Sequence, residues 1–152
     1  LKAEVINPFL IAAREILEME SGLTGTRGEL SLAASKWTTQ EITVIINIIG
    51  AVKGTFLIGM SIKTAMKLVG LMLDEKTETF DKIVISGIAE MGNIIAGRAL
   101  AKLESIGYLA DITPPMLLYG ERASISTLNR KRILIPLKTD IGLIELSMAI
   151  EK

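Results

Sequence analysis

Between Ile42 and Met60 the chain is almost wholly apolar, and this run constrains the fold more than any other stretch. Its length comes near the ~20 residues that a membrane-spanning helix needs. The details favour a sheet. Asn47 and Lys53 lie inside the run, Gly50 and Gly54 bracket a turn, and many side chains are β-branched, which suits strands. A hairpin is expected, with strands over residues 42–49 and 52–60 joined near Gly50-Ala51. Both strands are apolar on both sides, as central strands are. A sheet of this kind needs helices to cover it.

Three stretches supply them. Residues 6–19 repeat Phe9, Ala12, Ala13, Ile16 and Leu17 at helical spacing, with Pro8 after the capping candidate Asn7 and a stop at Ser21-Gly22. Residues 61–73 open on a serine cap, Ser61, and place Ala65, Leu68, Val69 and Met72 on one face toward the sheet. Residues 80–106 form the longest helix. Its core stripe is Val84, Ile88, Met91, Ile95, Ala99, Leu103 and Ile106, with Ile85 and Ala96 at the edge. Thr77 or Thr79 can cap it, Glu78 and Asp81 suit the positive end of its dipole, and Gly107 closes it.

Further strands are expected at 29–35, 116–119, 123–128, 133–137 and 143–150, with 108–115 as a connector stiffened by Pro114 and Pro115. A lone Trp37 near a strand end more often seals a core edge than stacks on a ligand. Arg130-Lys131-Arg132 reads as a solvated loop tip. The order strand, strand, helix in the first half and helix, strand, strand in the second hints at an internally pseudo-symmetric domain. A single domain over residues 1–152 is expected.

Composition removes whole classes of chemistry. The absence of Cys and His excludes thiol nucleophiles, disulfides, the usual zinc ligands and imidazole catalysis. Lys plus Arg and Asp plus Glu both total 17, so no net field draws nucleic acid or an anionic membrane. No phosphate-cradling loop, nucleophile elbow or acidic metal cluster is visible. No cleavable leader is visible from Leu1 onward, and a cytoplasmic protein is expected.

What remains is the outer stripe of the longest helix. Glu90 and Asn93 are three residues apart, within ~60° of each other on the side opposite the core. Ser86, Gly97, Ala101 and Glu104 share that side, together with Ile83 and Ile94. Small groups flanked by exposed apolar ones suit docking of another macromolecule. A carboxamide can orient an attacking water for phosphoryl transfer when a partner brings the phosphoryl group and metal, and a nearby carboxylate can lock onto a basic group of that partner. Spacing alone also fits an ordinary solvated face.

The pattern Ser86-x-x-x-Glu90-x-x-Asn93, then Ala96-Gly97 and Asp111-Ile112-Thr113-Pro114-Pro115, resembles the CheX/CheC family of chemotaxis phosphatases, most strongly its CheX members. The likeness is close over residues 80–120 and looser in the flanking hairpin and terminal strands. It implies a CheC-like α/β fold of the α+β type, a mixed or antiparallel sheet packed against long helices. It also implies hydrolysis of the aspartyl phosphate on a CheY-like response regulator, Asn93 positioning water and Glu90 pairing with the regulator's lysine. Ser86, Ile83, Ile94 and Gly97 would line the docking surface. No cofactor of its own is implied; Mg²⁺ belongs to the regulator. A homodimer is expected, because the resemblance implies CheX-like pairing and the apolar C-terminal strands would leave an edge that proteins rarely leave bare. One Glu-x-x-Asn is counted, since the helix over residues 61–73 offers Ala65-Met66-Lys67-Leu68 where a second would sit, as in single-site CheX members. The alternative is a non-catalytic docking or scaffold module related to flagellar-switch middle domains.

Overall fold

The computed structural model describes residues 3–34, 36–38, 40–120, 124–126 and 130–151. Its elements in order are α1 (Ala3–Ser21), β1 (Thr26–Arg27), β2 (Ser31–Ala33), β3 (Lys36–Thr38), β4 (Ile42–Gly50), β5 (Gly54–Met60), α2 (Ile62–Leu73) and α3 (Lys82–Ser105), followed by β6 (Ala110–Ile112), β7 (Met116–Tyr119), β8 (Ser124–Ser126), β9 (Arg132–Thr139) and β10 (Gly142–Ile150). The main sheet runs β1-β9-β10-β5-β4-β6, with β2 also on β9 and β7 also on β4. Every ladder among the described residues is antiparallel. β3 and β8 pair separately.

The apolar run becomes the hairpin β4–β5, with Ile48 opposite Gly54. Alternation then sorts its side chains. Ile42, Val44, Ile46 and Ile48 join Phe56, Ile58 and Met60 in the main core, beneath the helices. Leu57 and Thr43 are buried as well but point to the other face, with Ala149 and Ser147 of β10. Phe9 of α1 meets Phe56 of β5 at 5.0 Å between ring centroids, tilted by 47°, which ties the first helix to the centre of the sheet.

Several boundaries move for identifiable reasons. α1 begins at Ala3, so Pro8 sits inside the helix and Asn7 is not its cap. Burial of Val5 and Ile6 outweighs the hydrogen bond that proline cannot donate. Ser61 caps α2 as expected, accepting from Thr64 N–H at 3.1 Å. α2 packs on α1 and α3, and meets the sheet at β10, where Thr64 Oγ1 donates to the Ile141 carbonyl. α3 is capped by Asp81 rather than by Thr77 or Thr79: its carboxylate accepts from Ile83 and Val84 N–H, Thr79 donates to it, and Thr77 donates to the Met66 carbonyl.

α3 ends in a Schellman turn, with Gly107 N–H on the Glu104 carbonyl, Tyr108 N–H on the Leu103 carbonyl and Gly107 at φ +98°. That turn places Ile106 at the cap with 51% exposure, off the core stripe. By length and composition α3 could cross a membrane, yet its apolar stripe is spent on the protein core.

The connector at 108–115 holds a strand. β6 pairs with β4 through Ile48, Ile49 and Gly50, and β7 pairs with β4 through residues 42–45. Between them Thr113, Pro114 and Pro115 stand opposite Ile46 and Asn47, a bulge that two prolines, lacking N–H donors, force on the ladder. Thr113 anchors it by donating its N–H to the Asn47 carbonyl and accepting the Asn47 N–H at Oγ1. The sheet edges are thus the broken pairs β1/β2 and β6/β7, and the C-terminal strands β9 and β10 are interior.

Arg132 is not part of a solvated tip. It is buried at the start of β9, its Nε–H donates to the Ala34 carbonyl, and burial lowers its pKa while Glu145 opposes that shift. The side chain of Trp37 and the expected strand residues 123 and 127–128 lie outside the described residues.

The pseudo-symmetry is a repeat of a different unit from the one the sequence suggested. A long helix, a broken edge strand, a short strand and a hairpin occur twice, as α1-β1-β2-β3-β4-β5 and as α3-β6-β7-β8-β9-β10, with α2 between them. Each edge strand pairs with the hairpin of the other half, β1/β2 on β9 and β6/β7 on β4. The counterpart of α3 is therefore α1. α1 carries Glu4-Val5-Ile6-Asn7, so the comparison with residues 65–68 used the wrong helix and the single Glu-x-x-Asn count is corrected to two.

Candidate functional site

α3 is held to the rest of the fold at two glycines flanking Glu90. A Cβ on Gly87 would stand 2.9 Å from Val69 Cγ2 of α2, and one on Gly92 would stand 2.9 Å from Val44 Cγ1 of β4. Valine is stiff at χ1, so neither neighbour yields easily. These close approaches fix the rotation of the helix. With Val84, Ile88, Met91 and Ile95 each at most 1% exposed, the opposite stripe has to face outward.

On that stripe Ser86, Glu90, Gly97, Ala101 and Glu104 are exposed, and Ile83 is 60% exposed. Asn93, one turn from Glu90, is half-buried at the rim. Ile94 departs from the expectation: it is half-buried and packs on the core. It shares a flank with Arg98 and Lys102, the two residues that grip Glu15 of α1, so α1 covers it.

Other carboxylates near α3 are engaged. Glu15 accepts from Arg98 and pairs with Lys102 at 2.8 Å, and these hydrogen bonds, Lys102 first and Arg98 second, lower its pKa. Asp81 is spent on the cap. Glu90 and Asn93 have no side-chain hydrogen bond or ion pair among the described residues. An unpaired carboxylate and carboxamide one turn apart, beside residues too small to block an approach, can accept a cationic group and orient a water. A groove of about 440 Å³ runs between α2 and α3, lined by Val69, Met72, Leu73, Ile83 and Ser86 among others and by neither Glu90 nor Asn93. A larger hollow, of about 910 Å³, lies along α2 near Lys67 and Asp74 and contains neither Glu90 nor Asn93. Among the described residues no group of three or more acidic side chains is placed to hold a metal ion.

The sequence profile of the family described as chemotaxis phosphatase CheX matches residues 42–138, from the start of β4 almost to the end of β9. The chain belongs to the CheX family. Among CheX relatives, the CheY-P phosphatase CheX of Thermotoga maritima is 27% identical over 128 residues, covering 84% of this chain and 83% of that one. The solved CheX-CheY-BeF3-Mg complex of Borrelia burgdorferi is 31% identical with a TM-score of 0.83, covering 97% of both chains. A CheC-like superfamily protein from Shewanella has a TM-score of 0.90 at 22% identity, covering all of both chains, and so shares the fold. This is the CheC-like fold expected from the resemblance.

One part of the site escaped sequence reasoning. Gly87 and Gly92 look like ordinary helix glycines until their neighbours are known.

Proposed function

We propose that this chain, a domain spanning residues 1–152, accelerates hydrolysis of the aspartyl phosphate on a CheY-like response regulator. The observation that carries the reading is the pair Glu90 and Asn93, unpartnered among the described residues and presented outward by the inward clamps at Gly87 and Gly92. Family membership and the complex formed by the Borrelia relative with CheY supply the partner class.

In this scheme the regulator brings the phosphoryl group and Mg²⁺, which neutralises charge on the phosphoryl oxygens. Glu90 pairs with the regulator's lysine and sets the docking register. Asn93 inserts its carboxamide, whose oxygen accepts a hydrogen bond from water and aims it in line with the bond to be broken. The water oxygen bonds to phosphorus as the bond from phosphorus to the aspartyl oxygen breaks. Inorganic phosphate and a free aspartate carboxylate leave, and the water proton passes to phosphate or solvent. Asn93 does not titrate, so its contribution is placement. Ser86 and Gly97 allow the partner close to the helix, Ile83 meets it with apolar surface, and Ile94 packs on the core instead of meeting the partner.

The test is phosphate loss from a phosphorylated CheY-type receiver with and without the chain. Binding without acceleration would make the protein a docking module instead. A homodimer is part of the proposal, supported by Met116 and Leu143 at 60% and 44% exposure on the sheet face away from the helices. Sedimentation giving only monomer at micromolar concentration would remove it.

A further inference from the structure

The flank of α3 that carries Asn93 is covered by the broken edge strand. Helical spacing puts Ile85, Ala89, Asn93, Ala96 and Leu100 on one side of α3, and each is buried or half-buried. Neither α1 nor α2 covers that side. Val69 of α2 stands against Gly87, and Glu15 of α1 holds Arg98 and Lys102, all on the opposite flank. α3 meets the sheet chiefly at β4, β6 and β7, and β4 lies beneath it through Val44. β6 and β7 remain as the cover.

This edge runs antiparallel to α3. At one end Tyr119 meets Phe80, just before the helix, at 5.5 Å between ring centroids. At the other, β6 follows the Schellman turn that closes the helix. The bulge at Thr113, Pro114 and Pro115 therefore falls beside the middle of α3, where Asn93 sits within Lys82–Ser105. β4 gives the same placement independently: a Cβ on Gly92 would stand 3.7 Å from Ile46 Cδ1, and Ile46 and Asn47 are the residues opposite the bulge. Alternation from Ala110 and Ile112 on one side and from Tyr119 and Leu117 on the other brings both prolines to the helix-facing side.

No backbone N–H along this wall is free. Pro114 and Pro115 have none, and the N–H of Thr113 donates to the Asn47 carbonyl at 3.0 Å. The wall is also stiff. Thr113 Oγ1 accepts the Asn47 N–H at 3.1 Å, Asn47 Oδ1 accepts the Thr55 hydroxyl at 3.2 Å, and two proline rings fix their own φ. Asn93, half-buried beside it, has no side-chain hydrogen bond among the described residues. An edge strand of ordinary residues at this place would present N–H donors able to capture the carboxamide oxygen.

We infer that Pro114 and Pro115 are positioning residues for the reaction: they hold the Asn93 carboxamide against a surface without donors and so leave its oxygen free for the attacking water. The inference rests on the role of Asn93 proposed above. It gives the Thr-Pro-Pro stretch a task that edge protection alone does not.

The experiment replaces Pro114 and Pro115 by alanine, singly and together, in the full chain and in an Asn93→Ala chain, with melting curves to verify folding. The N–H groups introduced at positions 114 and 115 are followed by hydrogen exchange. At least one should exchange about fivefold or more slowly with Asn93 present than in the Asn93→Ala chain, because the carboxamide oxygen captures it. Phosphate release from a phosphorylated CheY-type receiver at saturating chain should fall on the order of tenfold or more in the double proline variant. Affinity for the same receiver charged with beryllofluoride and Mg²⁺ should stay within about threefold, since the wall acts on Asn93 and not on docking. Exchange that is indifferent to Asn93, an undiminished rate in a folded double variant, or a loss of affinity matching the loss of rate overturns the inference. If the double variant melts early, Pro114→Ala, at the exposed proline, is judged by the same criteria. An Asn93→Ala chain working at wild-type speed overturns the water-positioning role instead, and a wild-type chain that does not accelerate phosphate loss overturns the proposed function; the inference falls with either.

Discussion

Gly92 of α3 lies against Val44 of β4 so closely that a Cβ on the glycine would stand 2.9 Å from Val44 Cγ1. This contact sets how near α3 comes to the sheet, and Asn93 is the next residue along. Gly92→Ala should destabilise the fold by about 1 to 3 kcal/mol, because β-branched Val44 cannot swing aside and the helix must lift. Thermal unfolding checks this, and an unchanged melting temperature would show that α3 is free to shift.

Gly97 gives the opposite expectation. Nothing lies within 4 Å of a Cβ placed there. Gly97→Ala should therefore stabilise the helix by up to ~1 kcal/mol from propensity alone. Receiver binding should weaken in the same variant, since a methyl group would stand on the docking surface. Improved stability with undiminished affinity would place Gly97 outside the interface.

Asn93→Ala should leave the fold and receiver binding intact while the dephosphorylation rate falls on the order of a hundredfold, the usual loss for one group acting on the transition state. Single-turnover phosphate release at saturating chain measures it. Wild-type speed in this variant would end the water-positioning role.

Glu90→Lys should weaken the complex by roughly 2 to 5 kcal/mol if its partner lysine is desolvated on docking, mainly through faster dissociation. Changing that receiver lysine to glutamate should recover part of the loss. The readout is affinity, since the lysine also serves the receiver's own chemistry. Strictly additive losses across the cycle would return Glu90 to the solvated face.

Glu15 joins α1 to α3 through Lys102 and Arg98, which hold its carboxyl below the ordinary value of 4.5. A carboxylate depressed in the folded state contributes stability above its unfolded pKa and loses that contribution as pH falls through the folded value. Glu15→Gln should thus be less stable than wild type at neutral pH, with the gap closing below pH 4.5. Melting temperatures of the two proteins across that range check the sign; a constant gap would mean that the pair is screened by solvent.

The helical and strand periods were legible because they are local: the apolar run at 42–60 folds as a hairpin, and Val84, Ile88, Met91, Ile95, Ala99 and Leu103 form the buried stripe of α3. The outward direction of Glu90 follows from the same arithmetic. End effects were less legible. Asp81 displaced the threonines as cap because its carboxylate can accept from two N–H groups at once, and α1 gained a turn because Val5 and Ile6 found a core. The short strand β6 was hidden by its prolines, since its pairing depends on β4, sixty and more residues earlier in the chain.

By itself the sequence determined which residues could pair as helix faces and strands, that imidazole and thiol chemistry are absent, and that Glu90 and Asn93 share one outer stripe. Those facts depend on residue type and on spacing within a few turns. Tertiary structure alone decided that α1, not α2, is the partner of α3 in the repeat, that Gly92 meets Val44, and that Tyr108 reaches Glu4 across most of the chain. These are contacts between distant segments, created when burial of the shared core brings two antiparallel helices together.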